Sequence, residues 1–265
     1  MRLRFYGFLA ALLASGTIGV TSGLRAAEPP QAVKPAITDE ALAALQQMSK
    51  TLLSKDLSFK AETIRVYQDA HGQPLHIFHT MKVVARRPDR LAINVTGDDG
   101  STKVLYDGKT VSVLSVDKNK YASLAAQGGI QVAVDELMDK VGHDFPLVDF
   151  FSDAPDKAFL SGVTTGSQVG TAMVDGTECR HLFFSQQAGV ELELWLDKTE
   201  QALPRRLIVT YRLLPGQPDF VALFSDWDFK GQPADSAFVF QPPAGATKID
   251  LSQAAAAVPG QGGSK

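Results

Sequence analysis

Cysteine occurs once in the 265 residues, as Cys179, so the chain has no internal disulfide and no cysteine near its start for lipid attachment. Long apolar runs are equally scarce. Residues 5–20 form the one extended run, and with its Gly, Ser and Thr it falls short of the roughly 20 strongly apolar residues that span a bilayer. Neither sign of charge dominates. A net charge of −3 with scattered Lys and Arg lacks the basic stripe that nucleic acid or an anionic membrane surface would require. Phosphate loop, dinucleotide fingerprint and serine elbow are all missing, which leaves the corresponding enzyme classes without a motif.

What is present begins with an export pattern. Arg2 and Arg4 precede the apolar run, which ends in small residues, so 1–27 reads as a cleavable signal peptide with cleavage near Ala26 or Ala27. The expected product is a soluble periplasmic protein with no integral membrane span. Pro29, Pro30 and Pro35 make 28–36 a flexible leader, and the Ala, Gly and Gln of 252–265 make a disordered tail. Between them, residues 37–251 are read as one domain, which with 45% hydrophobic composition is long enough to build its own core.

The domain opens with a helix. Thr38 is the candidate N-cap, Asp39 and Glu40 lie in the first turn, and Leu42, Leu45, Met48 and Leu52 recur at helical spacing until about Ser54. The period then changes to two, and strands are predicted at 82–85, 91–96, 103–106, 110–116, 180–184, 190–196, 207–213 and 221–229. Tight-turn residues such as Asp98-Asp99-Gly100, Asp107-Gly108 and Asp175-Gly176 separate them, which points to consecutive antiparallel hairpins. Crossover helices have no room over most of the chain. A second helical stretch is predicted at 130–141, followed by Leu147, Val148, Phe150 and Phe151, a segment too apolar for an exposed loop and suited to covering the sheet.

Alternation sets the geometry. Val190, Leu192, Leu194 and Leu196 share one face of their strand, and Leu207, Val209, Tyr211 and Leu213 repeat the pattern, as do Leu91, Ile93 and Val95. A long antiparallel sheet with one apolar face and few helices must curl around those helices, and an apolar cavity remains wherever they do not fill the curl.

Catalytic and metal constellations are thin. His76 and His79 are three apart and face opposite sides of a strand, which does not suit a metal site. Cys179 and His181 do share a face, but a strand cysteine is ordinarily a small buried hydrophobe. The Asp residues concentrate in turns, where they serve the backbone. No catalytic residue, metal or cofactor is therefore assigned.

Five strings resemble, in order and spacing, the outer-membrane lipoprotein carrier and receptor (LolA/LolB-like) superfamily, most closely a predicted periplasmic family within it. They are VVARRPDRLAINV (83–95), VLYDGKTVSVLSVDKNKYA (104–122), LPRRLIVTY (203–211), FSDWDF (224–229) and FVFQPPAGATKI (238–249). The resemblance covers residues 37–251 and implies an α+β, mainly β fold, an unclosed antiparallel β-barrel of about eleven strands curled over two or three helices. It also implies a hydrophobic cavity for acyl chains. In the carrier, an arginine before the proline of an Arg-Pro pair helps to gate the lid, and Arg87 matches it; Gly108 and Pro242-Pro243 match turn and strand-end features. The chain departs from the carrier in its added sequence around 130–159, so lipoprotein shuttling does not follow from the fold alone.

The expected function is a non-catalytic periplasmic binding protein or carrier for a lipid, acyl chain or lipoprotein. The cavity residues expected from the sequence are Leu45, Met48 and Leu52 on the helix, Ile93, Val95, Leu192, Leu194, Val209 and Tyr211 on the sheet, and Phe150 and Phe151 on the cover. The alternative is a module that senses or scaffolds envelope proteins, with a filled core and no resident ligand.

Overall fold

The structure, a computed structural model, describes residues 36–69, 71–141 and 145–251, without the side chain of Val141. The expected signal peptide, all of the expected leader except Ala36, and the expected tail lie outside the described residues.

Helix α1 (Asp39–Leu52) begins where the Thr38 hydroxyl accepts a hydrogen bond from Ala41 N at 3.4 Å, and it buries Ala41, Ala44, Leu45, Met48 and Leu52. Six strands follow: β1 (Asp56–Gln68), β2 (Pro74–Arg86), β3 (Arg90–Gly97), β4 (Gly100–Tyr106), β5 (Thr110–Ser115) and β6 (Lys120–Ala125). Helix α2 (Ile130–Val141), a 3-10 turn at Val148–Phe151 and the short helix α3 (Pro155–Phe159) interrupt them. The chain then returns to the sheet with β7 (Val163–Val174), β8 (Thr177–Gln186), β9 (Val190–Asp197), β10 (Pro204–Tyr211), β11 (Asp219–Asp228) and the two-residue β12 (Thr247–Lys248).

These twelve strands form one sheet in the order β12-β6-β5-β4-β3-β2-β1-β11-β10-β9-β8-β7, antiparallel throughout except for the β12–β6 pair. The two outermost strands do not meet, so the expected unclosed, mainly β half-barrel is what the chain forms. Its strands number twelve, because β12 pairs only after the chain has travelled back to β6. Two of the longest strands escape the alternation pattern. β1 does so because its inward face changes character along its length, from Leu57, Phe59 and Ala61 to Thr63, Arg65 and Tyr67. β7 does so because it is a glycine-bearing outermost strand with most of its side chains at least partly exposed.

All hairpin connections fall at two ends of the sheet. One end carries the β1–β2, β3–β4, β5–β6, β8–β9 and β10–β11 connections, and the other carries β2–β3, β4–β5, β7–β8 and β9–β10. The second end is tied by buried polar groups. Asp197 is fully buried; one oxygen accepts from Thr199 Oγ1 at 2.6 Å and from Thr199 N and Leu203 N at 3.2 Å, the other from Arg205 Nη2 at 2.9 Å and Nε at 3.2 Å. The Trp227 indole donates to Pro204 O at 3.0 Å nearby.

Removing the Asp197 carboxylate strips these five donors of their acceptor in a dry site, so Asp197→Ala is expected to cost about 2–4 kcal/mol in urea unfolding, and Arg205→Ala less. Arg205 keeps part of its side chain in water, which is why the two variants should differ.

A candidate ligand cavity under the concave face

The apolar concave face is covered unevenly. Under β7 to β11, helix α1, α3 and the 3-10 turn pack directly onto the sheet: Phe150 meets Phe159 edge-on at 5.2 Å and Phe224 at 5.2 Å, among fully buried Leu45, Met48, Leu182 and Leu207. Under β2 to β6 only α2 is available. It presents Ala133, Val134, Leu137 and Met138 across a gap, and a cavity of about 470 Å³ remains, within the size range of small-molecule sites.

The strands supply the cavity floor through every second residue: Leu91, Ile93 and Val95 from β3, Val104 and Tyr106 from β4, Val111 and Val113 from β5. Phe145 lies on its wall and stacks 6.3 Å from Phe151 of the filled core behind it. Ile249 and Leu251, just past β12, close the side next to β6. The Tyr106 hydroxyl donates to Gly128 O at 2.7 Å, and burial pushes its pKa up, so the ring stays neutral at the cavity wall.

Polar groups collect at one end, where β1 runs out and three hairpins turn. Arg65, Tyr67, His79, Asp99, Asp117 and Lys120 line the cavity there. His79 Nε2 lies 2.7 Å from Asp99 Oδ1 and ties β2 to the β3–β4 turn. A Cβ at Gly97 would come within 2.3 Å of the Phe78 main-chain oxygen and 2.4 Å of His79 Cδ2, which is why a side chain is excluded there. The cavity is thus amphipathic along its length, apolar inside and polar at its mouth.

The structure divides the residues singled out from the sequence. Ile93 and Val95 line the cavity. Leu45, Met48, Leu52, Phe150, Phe151, Leu192, Leu194 and Val209 belong to the closely packed core on the filled side, and Tyr211 packs against that core half-buried. Val104 and Val113 carried a signal that was available, since they alternate on consecutive hairpin strands adjacent to β3. Ile249 and Leu251 carried none, because their place depends on the return of the chain to β6.

Arg87, the expected lid gate, is held by three main-chain carbonyls in this structure. Its Nε donates to Leu52 O at 3.1 Å, Nη2 to Phe150 O at 3.2 Å and Nη1 to Phe151 O at 3.4 Å, with Asp153 at 3.7 Å. It joins the end of α1 to the cover segment. Burial lowers its pKa and Asp153 opposes that shift. On the convex face, Cys179 is buried with its Sγ 3.5 Å from Thr177 O, and its pKa is raised, chiefly by burial and then by Asp197. His181 engages Glu193 at 2.7 Å and stacks on Trp195 instead of meeting the thiol. Among the described residues, no three His, Cys, Asp or Glu side chains gather as a metal site.

Fold and cavity together define a half-barrel protein with an apolar chamber beneath a twelve-stranded sheet. Residues 41–252 match the model of DUF2092, described as a predicted periplasmic protein, and the chain belongs to that family. No helix among the described residues is long and apolar enough to cross a membrane. No curated protein matches the chain in sequence. Among solved structures, it is similar to an uncharacterized conserved protein from Thermus thermophilus (9% identity, 80% of this chain and 99% of that one, TM-score 0.48). It is also similar to the lipoprotein LppX of Mycobacterium tuberculosis (17%, 72% and 96%, TM-score 0.45) and to a LolA superfamily protein of Nitrosomonas europaea (11%, 76% and 98%, TM-score 0.38).

Truncating the clamp leaves three main-chain carbonyls short of a donor, so Arg87→Ala is expected to lower stability by about 2–3 kcal/mol in chemical denaturation, with Arg87→Lys restoring part of it. A clamp role predicts that the loss persists whether or not an acyl ligand is present.

Proposed function

We propose that this protein is a periplasmic, non-catalytic binding protein or carrier for a hydrophobic ligand, a lipid, an acyl chain or the acyl part of a lipoprotein, held in the chamber between β2–β6 and α2. The observation that carries the reading is the chamber itself: about 470 Å³ floored by aliphatic side chains and polar only at one end. Affinity then comes from area, at roughly 0.8 kcal/mol per methylene buried, and needs no reactive group. The polar mouth gives an amphiphile one orientation, tail inward.

The test is native mass spectrometry with lipid extraction on protein purified from a periplasm, followed by titration with palmitate. Co-purified or added acyl ligand is expected to bind, and Val104→Glu, which places a carboxylate on the cavity floor, is expected to reduce binding by about tenfold or more in a protein that still melts cooperatively. Leu194→Asp is the wrong probe, since it strikes the filled core and unfolding would follow. A protein that carries no lipid and rejects palmitate overturns the proposal in favour of an envelope-protein interaction module.

A further inference from the structure

Ten large apolar side chains are exposed among the described residues, and three of them, Leu75, Leu213 and Leu214, sit on two adjacent turns at the end of the sheet where the cavity opens. Leu75 follows the β1–β2 turn, opposite the cavity-lining Tyr67, and is 49% exposed; Leu213 and Leu214 form the β10–β11 turn at 75% and 51%. The two turns are neighbours in space. Gly216 sits so close to Gln68 that a Cβ there would overlap the Gln68 amide, and Leu213 lies against Gly189 at the β8–β9 connection. Lys118, Lys120, Asp99 and Asp117, at the β3–β4 and β5–β6 connections, line the mouth beside them.

Exposed leucines on turns cost hydration free energy and add nothing to the core, and a cluster of them marks a contact surface. We propose that this apolar rim docks on the surface of a phospholipid bilayer, with the mouth of the cavity facing the membrane. The choice of a bilayer over a protein rests on the hydrophobic-ligand reading, because a bilayer is where such a ligand resides. Charge selects the kind of bilayer. The groups around the tips are of both signs, Lys118, Lys120 and Arg212 against Asp69, Asp99 and Asp117, which complements a zwitterionic headgroup layer and gives no preference for a strongly acidic or basic partner. Contact is made by side chains that enter the interfacial zone from two turns at once, as apolar residues of peripheral proteins do.

The experiment is co-flotation of the protein purified from a periplasm with phosphatidylcholine vesicles, at low salt and at high salt. The expected result is partitioning that salt does not abolish, reduced about tenfold in Leu213→Ser/Leu214→Ser and to a smaller extent in Leu75→Ser. Leu53→Ser and Val239→Ser, exposed apolar positions away from the mouth, are expected to leave it unchanged. Palmitate titration in the absence of vesicles reads the cavity separately and is expected to be the same in all four variants. No partitioning of the native protein, equal losses in the control variants, or binding confined to anionic vesicles and lost in salt would each overturn the docking proposal. Docking that persists in a protein unable to bind palmitate would overturn the cavity reading and leave the rim as a membrane contact.

Discussion

Every large feature of this protein follows from one mismatch: a twelve-stranded sheet with a continuous apolar face, and three helices to cover it. A flat sheet of that size would leave half of its inner face in water, so the strands curl and bring the face around the helices. Coverage still runs out. Helix α1, α3 and the cover segment carry enough large apolar side chains to fill the β7–β11 side, where Phe, Leu and Met interlock. Helix α2 meets the other side with Ala, Val, Leu and Met over strands whose inward residues are mostly valine and isoleucine, and two rows of modest side chains do not span the gap. The cavity is what remains of the mismatch.

An unclosed sheet also has two edges, each a row of unpaired main-chain groups. Both are met by other parts of the chain. On the β7 edge, Thr38 N donates to Gly166 O at 3.0 Å and Gly166 N to Ala36 O at 2.9 Å, just before α1 begins. On the β6 edge, β12 pairs in parallel and Ile249 N donates to Tyr121 O at 2.8 Å. The second contact has a functional consequence, because the same strap delivers Ile249 and Leu251 to the cavity wall. Edge protection and chamber closure are one device.

Which parts of this were legible in the sequence depends on how local their causes are. The α1 boundaries, α2 and the alternating strands β3, β5 and β9 are written in side-chain periodicity and capping, which act over a few residues, and these elements sit close to where the pattern puts them. The one-faced curled sheet was legible for the same reason. The site was less so. Leu192, Leu194 and Val209 alternate as well as Ile93 and Val95 do, and nothing local distinguishes a strand that a helix packs against from one it only faces. That difference is decided by which helix lies under which strands, a long-range fact. The inward switch from Ala61 to Arg65 on β1 was legible in principle, as a strand leaving the core for the mouth, but it reads as a broken alternation until the fold is known.

The polar groups complete the division between the two ends. The end away from the mouth holds Arg87 on three carbonyls, Asp197 on five donors, and the Trp227 and Tyr106 hydrogen bonds, all buried or nearly so. Such groups tolerate no rearrangement without leaving partners unsatisfied, so they fix the relation of α1, the cover segment and the sheet. The mouth end has turn-to-strand ties such as His79–Asp99 and apolar side chains in water. Rigidity at one end is what allows a half-filled chamber to persist at the other, since a cavity inside a uniformly soft core would collapse and be lost.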